Sequence, residues 1–206
     1  MHDNFFSVGI TGGIGSGKSL VCKIFSVLRI PVYSSDDRAK WLMANDDFLK
    51  GQLKLHFGSQ AFDQHNELNR SYLANVVFKK EKERQLLNEL VHPYVAKDYL
   101  QWQLQQTKSP YTLKEAALIF ETGSDKLLNV VINISAPKAL RLKRVLRRDP
   151  HRSQQQVKAI MNKQWTDAQR EEKADYVINN DEEHLLIPKV LEVHRQLSRS
   201  ALKFLA

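Results

Sequence analysis

The hydrophobic positions of this chain recur with two different periods, and their alternation predicts its layers. Phe5 to Thr11 is a short, mostly apolar stretch of the kind that forms a buried strand. Leu20, Val21, Ile24, Phe25 and Leu28 then fall on one face of a helix. Pro31-Val32-Tyr33-Ser34 reads as a second, short strand that runs into an acidic pair, Asp36-Asp37. Three more strands are expected at Thr112 to Phe120, Val130 to Ile134 and Tyr176 to Asn179. Long, charged, helix-compatible stretches separate them. Strands that alternate with helices in this way build a parallel sheet covered on both faces, so the pattern predicts an α/β fold with five parallel strands.

One interval departs from the alternation. From about Asp46 to Gln106 there is no convincing strand, and the interval is far longer than a single crossover needs. It is expected to form a helical insertion, residues 46–106, within one unit spanning residues 1–206. The core is then assigned to residues 1–45, 107–137 and 174–206.

Glycine is distributed unevenly. Five of the eight glycines (Gly9, Gly12, Gly13, Gly15, Gly17) lie within nine residues, from the end of the first strand to the start of the first helix. The run Gly12-Gly13-Ile14-Gly15-Ser16-Gly17-Lys18-Ser19 has the spacing G-x-x-x-x-G-K-S, which has a chemical origin. Glycines let successive backbone N–H groups converge on phosphate oxygens, and the helix that follows directs its positive end there. Gly12 through Ser19, with Thr11 and Leu20 at its edges, is therefore the expected nucleotide site. By the logic of such loops Lys18 reaches the β- and γ-phosphates of a nucleoside triphosphate and Ser19 is a ligand for Mg²⁺. Thr11 brings a hydroxyl to the same place, a position equally suited to a plain strand end.

Composition and charge narrow the partners. The chain has 206 residues, 42% of them hydrophobic, and a net charge of +8. From Lys138 to Lys173 there are 11 Lys and Arg against four Asp and Glu, so this one segment carries +7 of it. Positive charge confined in this way suits a polyanionic ligand held at one place, and the segment lacks the interleaved aromatics of a nucleic-acid platform. No nucleic-acid partner is expected. Within it, Leu142, Val145 and Leu146 form an apolar helical face, and Arg141, Arg144 and Arg148 line another. Residues 138–173 are read as a basic lid, although any single arginine there also fits a solvated surface. Met1 to Phe6 lacks the cationic and apolar parts of a signal peptide, and no apolar run approaches membrane-spanning length. The only cysteine, Cys22, excludes an internal disulfide and suits a reducing compartment. A cytoplasmic protein with no membrane partner is expected; the oligomeric state stays open, and a monomer suffices.

The chain has neither the Asp-x-x-Gly switch nor the Asn-Lys-x-Asp guanine motif of GTPases, and it is short for a helicase core. A small kinase remains. Here the residues resemble the dephospho-CoA kinases along essentially the whole chain. The resemblance runs from Gly9-Ile10-Thr11-Gly12-Gly13-Ile14-Gly15-Ser16-Gly17-Lys18-Ser19 through Asp36, Leu68-Asn69-Arg70, Leu87-Asn88 and His92-Pro93. It continues in Leu118-Ile119-Phe120-Glu121, the arginine-rich segment with Gln164, and Ala174-Asp175-Tyr176-Val177-Ile178-Asn179. It departs from the family at Ser34, where an Asp often stands, at Leu20, where Thr is usual, and at Ala116-Ala117, where a Pro is usual.

The resemblance implies a three-layer P-loop kinase fold with a five-stranded parallel sheet, a helical substrate-binding insertion and a basic lid. It implies ATP-dependent phosphorylation of the ribose 3′-hydroxyl of dephospho-CoA, the last step of CoA synthesis. Asp36 matches the family's base for the acceptor hydroxyl, although an Asp there also suits a cap on a helix starting near Arg38. Arg144 matches an arginine that reaches the transferred phosphoryl group. Arg70 and His92 fall in the part that binds dephospho-CoA, and His92-Pro93 equally suits a helix start with a packed imidazole. Glu121, expected at the end of the strand through Phe120, is placed to hold a water of Mg²⁺ or to be a surface charge. Asn179, closing the last strand, is a candidate contact to the adenine of ATP.

Overall fold

The structure, a computed structural model, describes residues 5–205, with Lys79 described by its backbone alone. The chain begins β1 (Ser7–Thr11), α1 (Lys18–Val27), β2 (Val32–Ser34), α2 (Ser35–Asn45), α3 (Asp47–Phe57), α4 (Arg70–Lys79), α5 (Glu81–Leu104) and β3 (Thr112–Glu115). It continues with β4 (Val130–Ser135), α6 (Lys138–Arg148), α7 (Gln154–Lys163), α8 (Asp167–Lys173), β5 (Tyr176–Asn179) and α9 (Leu186–Phe204). All strand pairings are parallel and the sheet order is β2-β3-β1-β4-β5. β1 is central and pairs with β3 on one side and β4 on the other. In an open parallel sheet the carboxyl end of such a strand is where ligands collect.

The core explains why β1 and β4 are nearly continuous apolar runs. Val8, Ile10, Ile132, Ile134 and Ile178 of the sheet pack with Val21 and Phe25 of α1 and Val190 and Leu197 of α9, all with no exposed surface. Each such side chain contributes on the order of 2 kcal/mol relative to exposure. On the other face Val131 packs with Ile119 and Phe120, and Phe120 stacks on Trp165 at 5.8 Å between ring centroids.

β3 is shorter than its apolar pattern predicts. It stops at Glu115, and residues 117–123 form turns in which Ser124 N–H bonds to Ile119 C=O and Gly123 N–H to Phe120 C=O. Ile119 and Phe120 are buried all the same, because they fill the space against Val131. Burial alone produces an apolar run, so the run from Leu118 to Phe120 did not require a strand.

The chain divides into two compact units, residues 1–34 with 106–206, and residues 35–105. The second unit therefore starts at Ser35 rather than at Asp46. α2 belongs to it because Arg38 of α2 pairs with Asp98 of α5, Nε to Oδ2 at 2.8 Å, and Leu42 is buried. α5 buries Val91, Val95, Tyr99 and Gln103, a single i, i+4 stripe. Pro93 lies inside α5, so His92-Pro93 is not a helix start. α4 begins at Arg70, capped by the Asn69 side chain, which accepts from Tyr72 N–H at 3.1 Å. No described helix is long and apolar enough to cross a membrane.

Candidate active site

The loop between β1 and α1 has the backbone its glycines predict. Gly15 and Gly17 sit at φ 80° and 97°, where a side chain is strained. A Cβ added to Gly12 would lie 2.4 Å from the carbonyl oxygen of Ile134, and one on Gly15 2.5 Å from that of Arg141. The loop is thus pressed against the end of β4 and against α6 with no room for side chains. Ser16 N–H bonds to Gly13 C=O at 3.0 Å, closing a turn within it. The N–H groups of Gly15, Gly17 and Ser19 have no hydrogen-bond partner among the described residues. α1 has no side-chain cap and no acidic residue in its first turn, so its positive end is uncompensated. Unpartnered amides at the start of an uncapped helix make an anion site. Lys18 donates from Nζ to Gly12 C=O at 2.8 Å, and Ser19 and Leu20 are exposed.

The segment read as a lid grips the loop from outside. Gln164, at the end of α7, accepts from Ile14 N–H at 2.9 Å, and Arg141 of α6 donates from Nη1 to Ile14 C=O at 3.4 Å. Arg141 is buried, which corrects its reading as a surface charge. Its Nε donates to Ala136 C=O at 3.1 Å and its Nη2 to Asp167 at 2.7 Å. Arg170, also buried, donates from Nη2 to the other oxygen of Asp167 at 2.7 Å and lies 3.8 Å from Glu121 Oε1. Two guanidiniums and two carboxylates thus balance in charge beside Gly13, where an added Cβ would be 2.1 Å from Arg141 Nη1. Burial holds the Arg141 guanidinium below its ordinary pKa, with Asp167 opposing the shift.

Glu121 does not end a strand, since β3 stops at Glu115 and Glu121 sits in the turn that follows. Its Oε1 accepts from Trp165 N–H at 3.0 Å, and its Oε2 is buried without a hydrogen-bond partner. Glu115 is the carboxylate at the strand end. Its negative charge helps raise the Cys22 thiol to about 12, after burial, while Lys18 opposes the shift. Thr11 is fully buried and its hydroxyl is turned to Ala117 C=O, 3.4 Å away.

Arg144 of α6 pairs with Glu182, Nη2 to Oε1 at 3.0 Å, while its Nη1 is buried and unpartnered. Asn179 ends β5 with its side chain exposed and lines a cavity of about 600 Å³ with His184, Leu185, Pro188 and Lys189. The next residue, Asn180, is the one that touches the loop, donating from Nδ2 to Ser16 C=O at 2.8 Å.

In the second unit, Asp36 lies in the first turn of α2, inside the helix rather than ahead of it, so it is not the cap. Its carboxylate is exposed and makes no hydrogen bond or ion pair among the described residues. Asp37 beside it pairs with Lys40 at 2.9 Å. Arg70 is exposed at the start of α4, and His92 is exposed on α5. Tyr72 is tied to Phe57 C=O at 2.9 Å and Tyr94 stacks on Phe48, which gives both aromatics structural partners.

Comparison with known proteins bears on the acceptor. Residues 6–185 match the dephospho-CoA kinase family model. The dephospho-CoA kinase of Porphyromonas gingivalis is 34% identical over 91% of this chain and 92% of its own. That of Legionella pneumophila is 36% identical over 95% and 97%. The chain belongs to the dephospho-CoA kinase family. Among solved structures, TT1252 of Thermus thermophilus superposes with a TM-score of 0.82 at 27% identity, covering 94% of this chain and 97% of its own. The dephospho-CoA kinase of Campylobacter jejuni does so with 0.69 at 25% identity, over 94% and 98%. Dephospho-CoA kinases phosphorylate dephospho-CoA to CoA, the last step of CoA biosynthesis, with ATP as co-substrate.

Several residues at the loop of this dephospho-CoA kinase homologue carry no signal in spacing. Arg141, Arg170 and Asn180 meet it from more than a hundred positions away, and Asp167 holds the two arginines. The one hint was the mixture within the basic segment, where Asp167 interrupts the positive charge.

Proposed function

We propose that this chain performs the family reaction with Lys18, the loop amides and Arg144 acting on the phosphates and Asp36 acting on the acceptor. The ribose 3′-hydroxyl oxygen of dephospho-CoA bonds to the γ-phosphorus of ATP as the bond from that phosphorus to the β–γ bridging oxygen breaks. Its proton passes to the carboxylate of Asp36, and ADP leaves. The row of unpartnered N–H groups at Gly15, Gly17 and Ser19 supports this reading most, because it offers donors fixed in advance for the phosphate oxygens. Lys18 gives up its bond to Gly12 C=O when a phosphate competes for its ammonium.

Mg²⁺, when bound with ATP, neutralises charge on the β- and γ-phosphates. The residues present fit it: Ser19 exposes a hydroxyl at the helix start, and the unpartnered Oε2 of Glu121 is a carboxylate oxygen available to a metal-bound water. Arg144 is suited to the transferred group because one of its nitrogens lacks a partner and Glu182, its present one, is exposed. Arg70, an exposed guanidinium, binds the diphosphate of dephospho-CoA, with His92 as a second polar contact. Asn179 is assigned to adenine. A buried single thiol fits a reducing compartment, and the reaction is assigned to the cytoplasm.

The test is ADP release with and without dephospho-CoA, repeated with Asp36→Asn. Turnover in the variant should fall by about 10²- to 10⁴-fold while ADP affinity stays within about twofold. Unchanged turnover would return Asp36 to an ordinary helix-surface carboxylate. ADP release indifferent to dephospho-CoA but stimulated by RNA or DNA would refute the kinase reading.

A further inference from the structure

Asn180 follows β5 directly and makes two contacts at once. Its backbone N–H donates to Ser135 C=O at 2.8 Å, which ties it to the end of β4. Its side-chain Nδ2 donates to Ser16 C=O at 2.8 Å, inside the phosphate loop. Asn180 is only 9% exposed, so little water is available to either group if that bond is lost. The approach is close enough that a Cβ on Gly17 would lie 2.1 Å from Nδ2. Gly17 therefore has two reasons to be glycine: its φ of 97° and the amide lying flush against it.

The consequence follows from peptide geometry. A trans peptide points its C=O and its N–H in opposite directions. Holding the oxygen of Ser16 on Asn180 turns the N–H of Gly17 away from Asn180, and that N–H has no partner among the described residues. If this peptide rotated by half a turn, an oxygen would stand where a donor is needed, and an anion would meet a negative rather than a positive group. The loop's internal bond, Ser16 N–H to Gly13 C=O, constrains the preceding peptide rather than this one. Glycine at position 17 makes the rotation easier still.

We infer that Asn180 is a positioning residue for nucleotide binding, holding the Ser16 carbonyl so that the Gly17 N–H stays turned toward a phosphate group in the loop. It rests on the reading of this loop as the ATP site. It does not depend on the acceptor. Asn180 itself touches no reacting atom; it acts through the peptide it grips.

Two variants test it by calorimetric titration with ADP. Asn180→Ala removes the donor, and Asn180→Asp keeps the shape but sets an acceptor against an acceptor. The ADP dissociation constant should rise about tenfold in Asn180→Ala, the equivalent of one hydrogen bond, and further in Asn180→Asp. Binding of dephospho-CoA alone should stay as in the unaltered chain, which a general loss of structure would not allow. A third readout needs no variant: on adding ADP to the unaltered chain, the amide proton resonance of Gly17 should move downfield. ADP binding within twofold of the unaltered chain in both variants overturns the inference. So does a Gly17 resonance that ADP leaves in place, including where neither variant folds. A chain that binds ADP but leaves dephospho-CoA unphosphorylated would refute the proposed function, while these ADP results still decide the role of Asn180.

Discussion

The phosphate loop and the helical unit of residues 35–105 use their sequence in opposite ways. In the loop the proposed chemistry belongs to the backbone: N–H groups are left unpartnered, and Gly12 lies so near β4 that an added Cβ would be 2.4 Å from the Ile134 carbonyl oxygen. A change at Gly12, Gly15 or Gly17 changes the backbone. In the helical unit the proposed chemistry falls to exposed side chains, Asp36, Arg70 and His92, on helices whose stability comes from elsewhere, such as the buried stripe of α5. A loop that works through its backbone must repeat a fixed spacing, whereas a helix surface that works through side chains need only place them. That is why eight residues announce a triphosphate and no comparable motif announces the acceptor.

The contrast predicts separate kinetic signatures. The largest effect should come from Lys18→Ala, with turnover reduced on the order of a thousandfold, since it removes the mobile charge on the transferred group. Near-normal turnover would mean that the loop amides suffice. Next is Arg141→Ala, which leaves Asp167 with one guanidinium instead of two in a buried site. Breaking such a network costs about 3–5 kcal/mol, or a thermal midpoint lower by roughly 10 °C, readable by calorimetry. Arg144→Ala, whose partner Glu182 is exposed, should leave that midpoint nearly unmoved.

A smaller and differently directed effect is expected from the helical unit. Arg70→Ala should raise KM for dephospho-CoA about tenfold and leave KM for ATP unchanged, as steady-state kinetics would show. Equal changes in both constants would contradict the division of labour. The smallest effect concerns Cys22, whose thiol is held at about 12 by burial and by Glu115. Because the thiolate is the reactive form, the folded chain should resist alkylation at pH 8 and react only as the pH climbs toward that value or when unfolded.

Much of the fold was readable from hydrophobic period alone. The five parallel strands and their intervening helices follow from runs such as Val130 to Ile134, because a strand covered on both faces must be apolar throughout. The reading failed where burial and strand part company, at Leu118 to Phe120, and that failure moved Glu121 off the sheet. The same limit explains Asp36. A carboxylate near a helix start looks like a cap from sequence, and only the position of Ser35 as the first helical residue removes that reading.

The contacts that hold the loop were the least visible part. Asn180 and Arg141 grip it through single hydrogen bonds across 164 and 127 positions, and no period or spacing links residues so far apart. Asn179 closes the last strand, yet the alternation of a strand turns neighbours to different surroundings, and it is Asn180 that is buried.

Phosphorus NMR of a reaction mixture containing the chain, ATP, Mg²⁺ and dephospho-CoA tests the central claim most directly. The account predicts a new phosphomonoester resonance from the ribose 3′-position, growing in step with ADP. ADP formed together with free inorganic phosphate, and no new phosphomonoester, would contradict it.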